Sequence, residues 1–397
     1  MRSEPGAALL AQAPFLVLLA VLPFPHTVAL RLACLALAFA VAVLAWRRSG
    51  VPPLPCRVPI ALWALLCVSS LVWAIDRRYT LSELWNEVGY TMMAFIAFFA
   101  FARGIGVLRA QMVALALGAA ALCAWAVARY ALTGGWDDAA GHGGVGNFAA
   151  YAVTVAPGLI VLAAGTRAMR LAAGGAFALV ALASVLSAQR ILWPVLAAQM
   201  VAALWLAHRQ GLVRAPARTV ALAAVAIAVF AGSLVLVAQS ERYAENRGAP
   251  AKMVDADTRW RQWPKVVDRI LEHPWHGVGF GRQVMTKAYP DLIPPDNGMF
   301  WHAHNTVLNY GLSMGLPGIA ALLLLFGCLA REYWRFVRDG DRAAKAIGIA
   351  GFTLVLGVFL RNQVNDFLVR DMAILFWAMN GAFLGLGRRL AAARGAA

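Results

Sequence analysis

The chain has 397 residues, of which 61% are hydrophobic and only 14% charged, and its mean hydropathy is +0.68. This composition excludes an ordinary soluble globular protein and is typical of a polytopic membrane protein. The net charge of +16 does not indicate a nucleic-acid-binding domain, because the arginines flank hydrophobic runs, where they suit lipid headgroups and membrane topology. The five cysteines have no paired spacing, so neither a disulfide framework nor a zinc site follows from them.

Apolar runs that are long enough to cross a bilayer recur along almost the whole chain. The first resembles a signal peptide, but its length and its exit through Pro23-Phe24-Pro25-His26 favour an uncleaved helix. We predict an all-α polytopic membrane protein with a single membrane domain over residues 1–397. About twelve spans are expected, near 7–24, 28–46, 59–75, 88–102, 110–128, 147–166, 171–187, 191–208, 219–239, 306–330, 346–360 and 372–386.

The distribution of arginine and lysine predicts the orientation. If the N-terminus lies inside, the inner loops hold most of the arginines and the short outer loops hold few. The positive-inside rule then places both termini in the cytoplasm and the long polar loop 241–305 outside. The interior of almost every predicted span lacks charged residues, which argues against an ion-coupled transporter. Polar clusters lie instead at the outer ends of helices, at 76–85, 134–147, 187–190 and 361–366, besides the loop itself.

Arginines on the outer face are candidates for ligand binding. Arg190 lies in a tight turn between two predicted helices, where its guanidinium can bind two anionic oxygens. The alternative is a snorkelling arginine that only anchors the turn. Because Arg77, Arg78 and Arg259 lie on the same face, we favour an anionic, lipid-linked ligand such as a pyrophosphate.

Residues 255–271 are predicted to form one or two short helices, with Pro264 in the first turn of the second. Apolar residues recur there at helical spacing: Trp260, Trp263, Val267, Ile270 and Leu271. Substrate binding and an interfacial amphipathic helix on lipid headgroups are both open interpretations. Arg259 is the strongest candidate in this segment.

The loop also contains a glycine-rich run and the histidines His302 and His304. The run Gly277-Val278-Gly279-Phe280-Gly281 lacks a surrounding strand–turn–helix unit, so a structural turn is favoured over an anion cradle. His304 precedes an apolar helix, and an imidazole can take a proton from a hydroxyl group at neutral pH. A histidine that only bonds the loop is the alternative. No carboxylate or cysteine cluster joins His302 and His304, so no metal or other cofactor is expected.

Three motifs occur in order: R-x-x-x-W from Arg259 to Trp263, H-P-x-x-G-x-G-F-G from His273 to Gly281, and H-N-x-x-L from His304, followed by Gly311, Gly315 and Gly318. This order, with a large outer loop before the last three helices, resembles the O-antigen ligase and polymerase superfamily. The resemblance in topology covers the whole chain, whereas the motifs lie within 259–318. Pro264, directly after the first motif, is a departure.

The resemblance implies a GT-C-like membrane glycosyltransferase that works without a metal, in the bacterial inner membrane with its active site on the periplasmic side. The donor would be an undecaprenyl-diphosphate-linked glycan and the acceptor a sugar hydroxyl of lipid A-core. By the same resemblance His304 is the base or orients the acceptor, and Asn305 beside it binds substrate. Arg190 and Arg259 would hold the diphosphate, and Arg77 and Arg78 are weaker candidates for that role. Gly277 and Gly279 would be structural.

Three other functions remain open at this point. An O-antigen polymerase would use the growing glycan as acceptor, and a protein O-oligosaccharyltransferase would use a protein hydroxyl. A transporter of lipid-linked oligosaccharides would need no catalytic base, so substitution of His304 separates it from the enzymes.

Overall fold

The computed structural model describes residues 5–49, 51–138, 141–213, 259–293 and 301–395, and every regular element in these ranges is helical. The helices are α1 (Pro5–Val21), α2 (Val28–Ser49), α3 (Arg57–Ser69), α4 (Arg77–Leu84), α5 (Tyr90–Phe101), α6 (Ile105–Thr133), α7 (Val145–Ala163), α8 (Arg167–Leu186), α9 (Leu192–Arg209), α10 (Arg259–Glu272), α11 (Val284–Ala288), α12 (Thr306–Asp339), α13 (Arg342–Arg361) and α14 (Arg370–Gly395). Turns of 3₁₀ helix lie at Ser70–Val72 and Pro290–Leu292. The all-α prediction is confirmed for these ranges.

Each predicted span coincides with a helix, except the one near 219–239, which lies outside the described residues. In the described ranges, 7 helical segments are long and apolar enough to cross a membrane. They are Val28–Arg47, Arg77–Phe101, Ile105–Thr133, Val145–Ala163, Arg167–Leu186, Thr306–Arg338 and Arg342–Arg361. The chain is therefore a multi-pass membrane protein by length and composition of its helices, while the total of twelve spans and the orientation stay predictions.

The fourth predicted span begins earlier than expected. We predicted a start at residue 88, yet the chain is helical from Arg77, because the Asp76 side chain caps the helix by accepting a hydrogen bond from the backbone N–H of Tyr79 at 2.9 Å. A π turn, Trp85–Gly89, joins α4 to α5. The extension brings Glu83 and Glu87 into the helix, one turn apart on one face. Glu87 lies in the π turn, a geometry that is frequent at functional sites.

The core of the described bundle lies where α14 packs along α5. A Cβ at Gly381 would collide with the backbone of Phe95, so the small residue allows the two helices to approach closely. Aromatic rings surround this contact. Trp377 meets Phe95 edge-on with ring centroids 5.4 Å apart, and Phe15 of α1 stacks at 4.3 Å on Phe101.

A buried amide holds three further helices together. Gln199 on α9 donates its Nε2 hydrogens to the carbonyl oxygens of Val153 on α7 and Thr353 on α13, each at 2.9 Å. Interhelical hydrogen bonds of this kind fix helices in an apolar surrounding. They hold α9 against its neighbours, and with it the α8–α9 turn that carries Arg190.

The cysteines lie inside the helical body as free thiols. Cys34, Cys56, Cys67 and Cys123 are buried, and Cys328 on α12 is partly exposed.

Candidate active site

The site is built around a break near the start of α12. Gly315 has φ 67° and ψ −162°, which interrupts the helix in a conformation that favours glycine. Beyond the break, the backbone N–H of Leu316 donates to the carbonyl oxygen of Pro274 at 2.7 Å. A Cβ at Gly315 would collide with the same Pro274 backbone. Gly315 of the third motif therefore packs directly against Pro274 of the second motif.

The glycine-rich turn 277–281 packs against the same part of α12. Gly277 has φ 64°, and a Cβ there would collide with the backbone of residues 312–314. The amides of the turn donate to protein acceptors: Val278 N–H to Leu312 O at 2.9 Å, Gly279 N–H to Ser313 O at 3.0 Å, and Phe280 N–H to Ser70 Oγ at 3.0 Å. An anion cradle needs amides that face the ligand. These contacts support the structural role that we predicted for the turn.

Residues 259–272 form one continuous helix, α10, with Pro264 inside it. Our prediction that Pro264 lies in the first turn of a second helix is therefore wrong. The predicted segment 255–258 lies outside the described residues. The buried face is formed by Gln262, Val266 and Ile270. Most of the predicted apolar face is instead exposed: Trp260, Val267 and Leu271. The difference arises because α10 packs on the small core of the loop itself, through Val266 and Ile270.

The R-x-x-x-W motif on α10 binds two other backbone segments. Trp263 donates its indole N–H to the carbonyl oxygen of Ala303 at 2.8 Å, directly before His304. Arg259 donates from Nη1 to the carbonyl oxygen of Val364 at 2.6 Å, in the turn after α13. One helical turn of α10 therefore ties the histidine segment to that turn.

His304 is half-buried at the entrance to α12, with a φ of 49° that is uncommon for a residue other than glycine. Its backbone N–H donates to Nδ1 of His302 at 3.0 Å, and the two rings lie with their centroids 3.9 Å apart. Backbone strain of this kind clusters at functional sites. The imidazole of His304 is thus fixed on a second imidazole.

His302 is held as a neutral ring. The Nη2 of Arg282, which can only donate, lies 3.0 Å from Nε2 of His302, and the His304 N–H faces its other nitrogen. Burial, then the positive charge of Arg282 and then His304 lower the pKa of His302 well below its ordinary value. A neutral imidazole accepts a hydrogen bond at one nitrogen only, so it accepts one of these two bonds, and the two donors together disfavour protons on both nitrogens. His302 therefore supports His304 as a neutral ring.

Asn305 begins α12 as its N-cap. Its Oδ1 accepts a hydrogen bond from the Leu308 N–H at 3.1 Å, and its Nδ2 donates to the carbonyl oxygen of Gln363 at 2.9 Å. We predicted that Asn305 binds substrate. In the structure both ends of its amide bond the backbone, which positions the neighbouring His304.

Asp366 connects the turn after α13 to the start of α12. Its carboxylate accepts hydrogen bonds from Thr306 Oγ1 at 2.8 Å and from the Asn309 side chain, which in turn accepts from the Ala303 N–H at 3.1 Å. The structure thus brings His304, Asn305 and Arg259 together around the turn 362–366.

The predicted arginines of the 76–85 cluster lie apart from this turn. Arg77 is exposed and donates to the carbonyl oxygen of Val72 at 3.2 Å, and Arg78 is exposed beside it. Their neighbour Tyr79 contacts the loop instead. The Tyr79 hydroxyl accepts a hydrogen bond from the Gln283 N–H at 2.8 Å.

Arg190 lies half-buried in the α8–α9 turn, where Ala188 has a φ of 49°. The packing of α9 against α7 and α13 places this turn on the helical body rather than in the loop.

A polar cavity of about 340 Å³ opens beside the histidines and gathers side chains from two of the outer clusters, from the loop and from the start of α14. It is lined by Glu83, Glu87, Asn147, Arg282, Trp301 and Arg370, among others. None of the six predicted site residues is among the residues that line this cavity. Arg282 connects the two regions, because it lines the cavity and bonds His302. Burial lowers the pKa of Arg282, and the nearby charges of Asp366 and Glu87 oppose that shift.

Sequence reasoning missed these cavity residues, although two signals for them exist. Glu83 and Glu87 are four residues apart, the spacing that puts two side chains on one helix face. Charged residues at the edge of an apolar run are costly unless they serve a function. Arg282 follows the last glycine of the second motif directly. No comparable signal marks Arg370, whose φ of 46° appears only in the structure.

Residues 152–323 match the model of a protein family described as O-antigen ligase. The matched range runs from α7 into α12 and includes Arg190, Arg259, His304 and Asn305. The resemblance to the O-antigen ligase and polymerase superfamily is therefore confirmed. No curated protein matches the chain.

Proposed function

We propose that this chain, whose residues 152–323 match the O-antigen ligase family model, is itself an O-antigen ligase. It transfers a glycan from undecaprenyl diphosphate to a sugar hydroxyl of lipid A-core on the periplasmic side of the inner membrane, with both termini in the cytoplasm. The observation that carries the proposal is the meeting of His304, Asn305 and Arg259 around the turn 362–366. When a hydroxyl group attacks the anomeric carbon of a glycosyl diphosphate, a basic group is needed to take its proton and a cation to stabilise the leaving diphosphate.

In the proposed reaction the acceptor oxygen attacks the anomeric carbon while the bond from that carbon to the diphosphate breaks. His304 takes the hydroxyl proton, a contribution of about 10²–10⁴-fold in rate. Arg190 and Arg259 stabilise the negative charge of the departing diphosphate, so that no metal is needed. Attack in a single step opposite the leaving group inverts the anomeric configuration.

His302 and Asn305 act in this proposal as positioning residues. Because His302 stays neutral, the ring of His304 can become positive without a second imidazolium beside it. Asn305 holds the backbone of His304 at the start of α12.

The test is glycan transfer by the purified full-length protein, with a lipid-linked donor, lipid A-core and EDTA. We expect metal-independent product from the parent and none from His304→Ala or Arg190→Ala. His208→Ala and Arg209→Ala are matched controls, because both residues are exposed at the far end of α9, and they should retain full activity.

Other outcomes lead to other conclusions. Extension of the donor glycan without lipid A-core would identify a polymerase. Undiminished transfer by His304→Ala would exclude this residue as the base, whichever acceptor is used.

A further inference from the structure

The polar cavity contains a pair of buried carboxyl groups. Glu83 and Glu87 are 5% and 8% exposed, and they lie four residues apart on one face of the helix. Both residues line the cavity, so the pair offers carboxyl oxygens to whatever enters it.

Two residues of the lining have unused hydrogen-bonding capacity. Oε1 of Glu87 and Nε of Arg282 are buried and have no hydrogen-bond partner among the described residues. Buried polar atoms nearly always have partners in folded proteins. One of these atoms is an acceptor and the other is a donor, so a ligand that binds both must be able to donate and to accept. A hydroxyl group does both.

The charges of the lining favour a neutral ligand. Arg282 and Arg370 line the same space as Glu83, Glu87 and Asp371. A phosphate would meet carboxylates, and a lipid chain would meet charges of both signs. A neutral molecule with many hydroxyl groups can satisfy every member of this set. Trp301 and Phe367 provide apolar surface for its C–H groups.

The size of the cavity limits the ligand to about one ring. Its volume of about 340 Å³ is at the lower end of the range for small-molecule pockets, about 300–1,000 Å³. The cavity also lies next to the proposed chemistry, since Arg282 bonds the ring on which His304 is stacked.

We propose that this cavity is a sugar-binding subsite, in which Glu83, Glu87 and Arg282 hold one hydroxyl-rich ring of a glycan. The inference rests on the proposed glycan transfer for its choice of substrate class. The ring belongs either to the acceptor or to the donor, and the two sources share this chemistry.

Saturation-transfer NMR on the full-length protein in nanodiscs tests the subsite. The probes are core oligosaccharide freed of lipid A and donor glycan freed of its lipid diphosphate, each measured alone. We expect one of them to bind the parent, and Glu87→Gln to weaken its affinity about tenfold, because a carboxyl oxygen that accepts from the ligand is replaced by an amide NH₂ that cannot accept. The probe that responds identifies the source of the ring.

Two further variants separate a local effect from misfolding. Gln283 lines the cavity but is exposed, so Gln283→Ala should retain the fold and weaken binding about threefold. Glu332→Gln is the matched control, because Glu332 is a buried glutamate at the other end of α12, paired with Arg335 and Arg388. It should bind the probe as the parent does.

The subsite is excluded if neither glycan binds, or if Glu87→Gln and Gln283→Ala both bind with the affinity of the parent. Failure of the proposed function gives a different pattern, in which no acceptor yields product but the probe still binds and responds to both variants. If glycan transfer occurs as proposed but neither variant changes the affinity for the probe, the subsite is excluded and the proposed function stands.

Discussion

The histidine segment and the sugar-binding cavity lie on two sides of Arg282, and they are built in opposite ways. In the segment, backbone groups are bonded to fixed partners: Trp263 to the Ala303 carbonyl, and the His304 N–H to His302. In the cavity, Glu87 and Arg282 each keep a buried polar atom without a partner in the described part of the chain.

This difference separates two tasks. A proton acceptor must stay within a fraction of an ångström of its working position, which a bonded backbone provides. A binding cavity needs hydrogen-bonding groups that the protein has not already used. We therefore expect substitutions in the segment to lower kcat and substitutions in the cavity to raise KM.

The largest effect should come from His304→Ala. Loss of the base should lower the single-turnover rate by about 10²–10⁴-fold with donor binding unchanged. His302→Ala should cost at most about 10²-fold, because it only displaces the ring of its neighbour. A greater loss for His302→Ala than for His304→Ala would reverse the assignment of the two roles.

A change in the glycine turn should affect both regions at once. Gly277→Ala places a Cβ against the backbone of residues 312–314 at a φ of 64°, which should lower the free energy of unfolding by about 1–3 kcal/mol. Thermal unfolding of the purified protein measures the change. Gly174→Ala is the control, since Gly174 lies on α8 with open space around it, and we expect no loss. Equal stability of the two variants would contradict the docking of the turn on α12.

Two asparagines distinguish the regions with smaller effects. Asn305→Ala removes the cap of α12, which should cost about 1 kcal/mol of stability and lower kcat with KM unchanged. Asn147→Ala, at an exposed position of the cavity, should raise KM with kcat unchanged. Steady-state kinetics in which Asn305→Ala raised KM and Asn147→Ala lowered kcat would contradict the division of tasks between the histidine segment and the cavity.

The smallest effect concerns the ion pair that joins the start of α4 to α11. Lys287, and then the backbone N–H of Tyr79, hold the pKa of Asp76 below its ordinary value of 3.8. Because the folded-state pKa is the lower one, this stabilisation is fully present above about pH 4 and is lost as the pH falls further. Asp76→Asn should therefore lower the unfolding temperature slightly at about pH 7, and the difference should shrink at about pH 3. A difference that is constant with pH would exclude the ion pair as its source.

The helices could be predicted because apolar runs of membrane length are an unambiguous signal. The start of α4 could not, since it depends on one capping bond from Asp76 within a charged segment of low hydropathy. The buried face of α10 could not be predicted from the sequence either. Its pattern shows that the helix is amphipathic, but the choice of Val266 over Val267 as a core residue depends on the loop that packs against it.

The candidate site was predictable only where motifs carry it. The order of three motifs placed Arg259 and His304 in one loop, but their meeting at residues 362–366 depends on bonds between segments about a hundred residues apart. The cavity depends on still more distant contacts, because Glu83, Asn147, Arg282 and Arg370 come from four parts of the chain. Local patterns contain no information on such pairings.

The burial of the thiols makes the protein suited to chemical mapping of its two faces. Four of the five native cysteines are inaccessible in the folded chain, so Cys328→Ser would leave a background that reacts slowly with maleimides. On this background a single cysteine at Gln283 would report the side on which the loop lies, and one at Arg209 would report the opposite side. With the proposed orientation, in which the loop is periplasmic, a membrane-impermeant reagent applied to intact cells with a permeabilised outer membrane should label the first and spare the second.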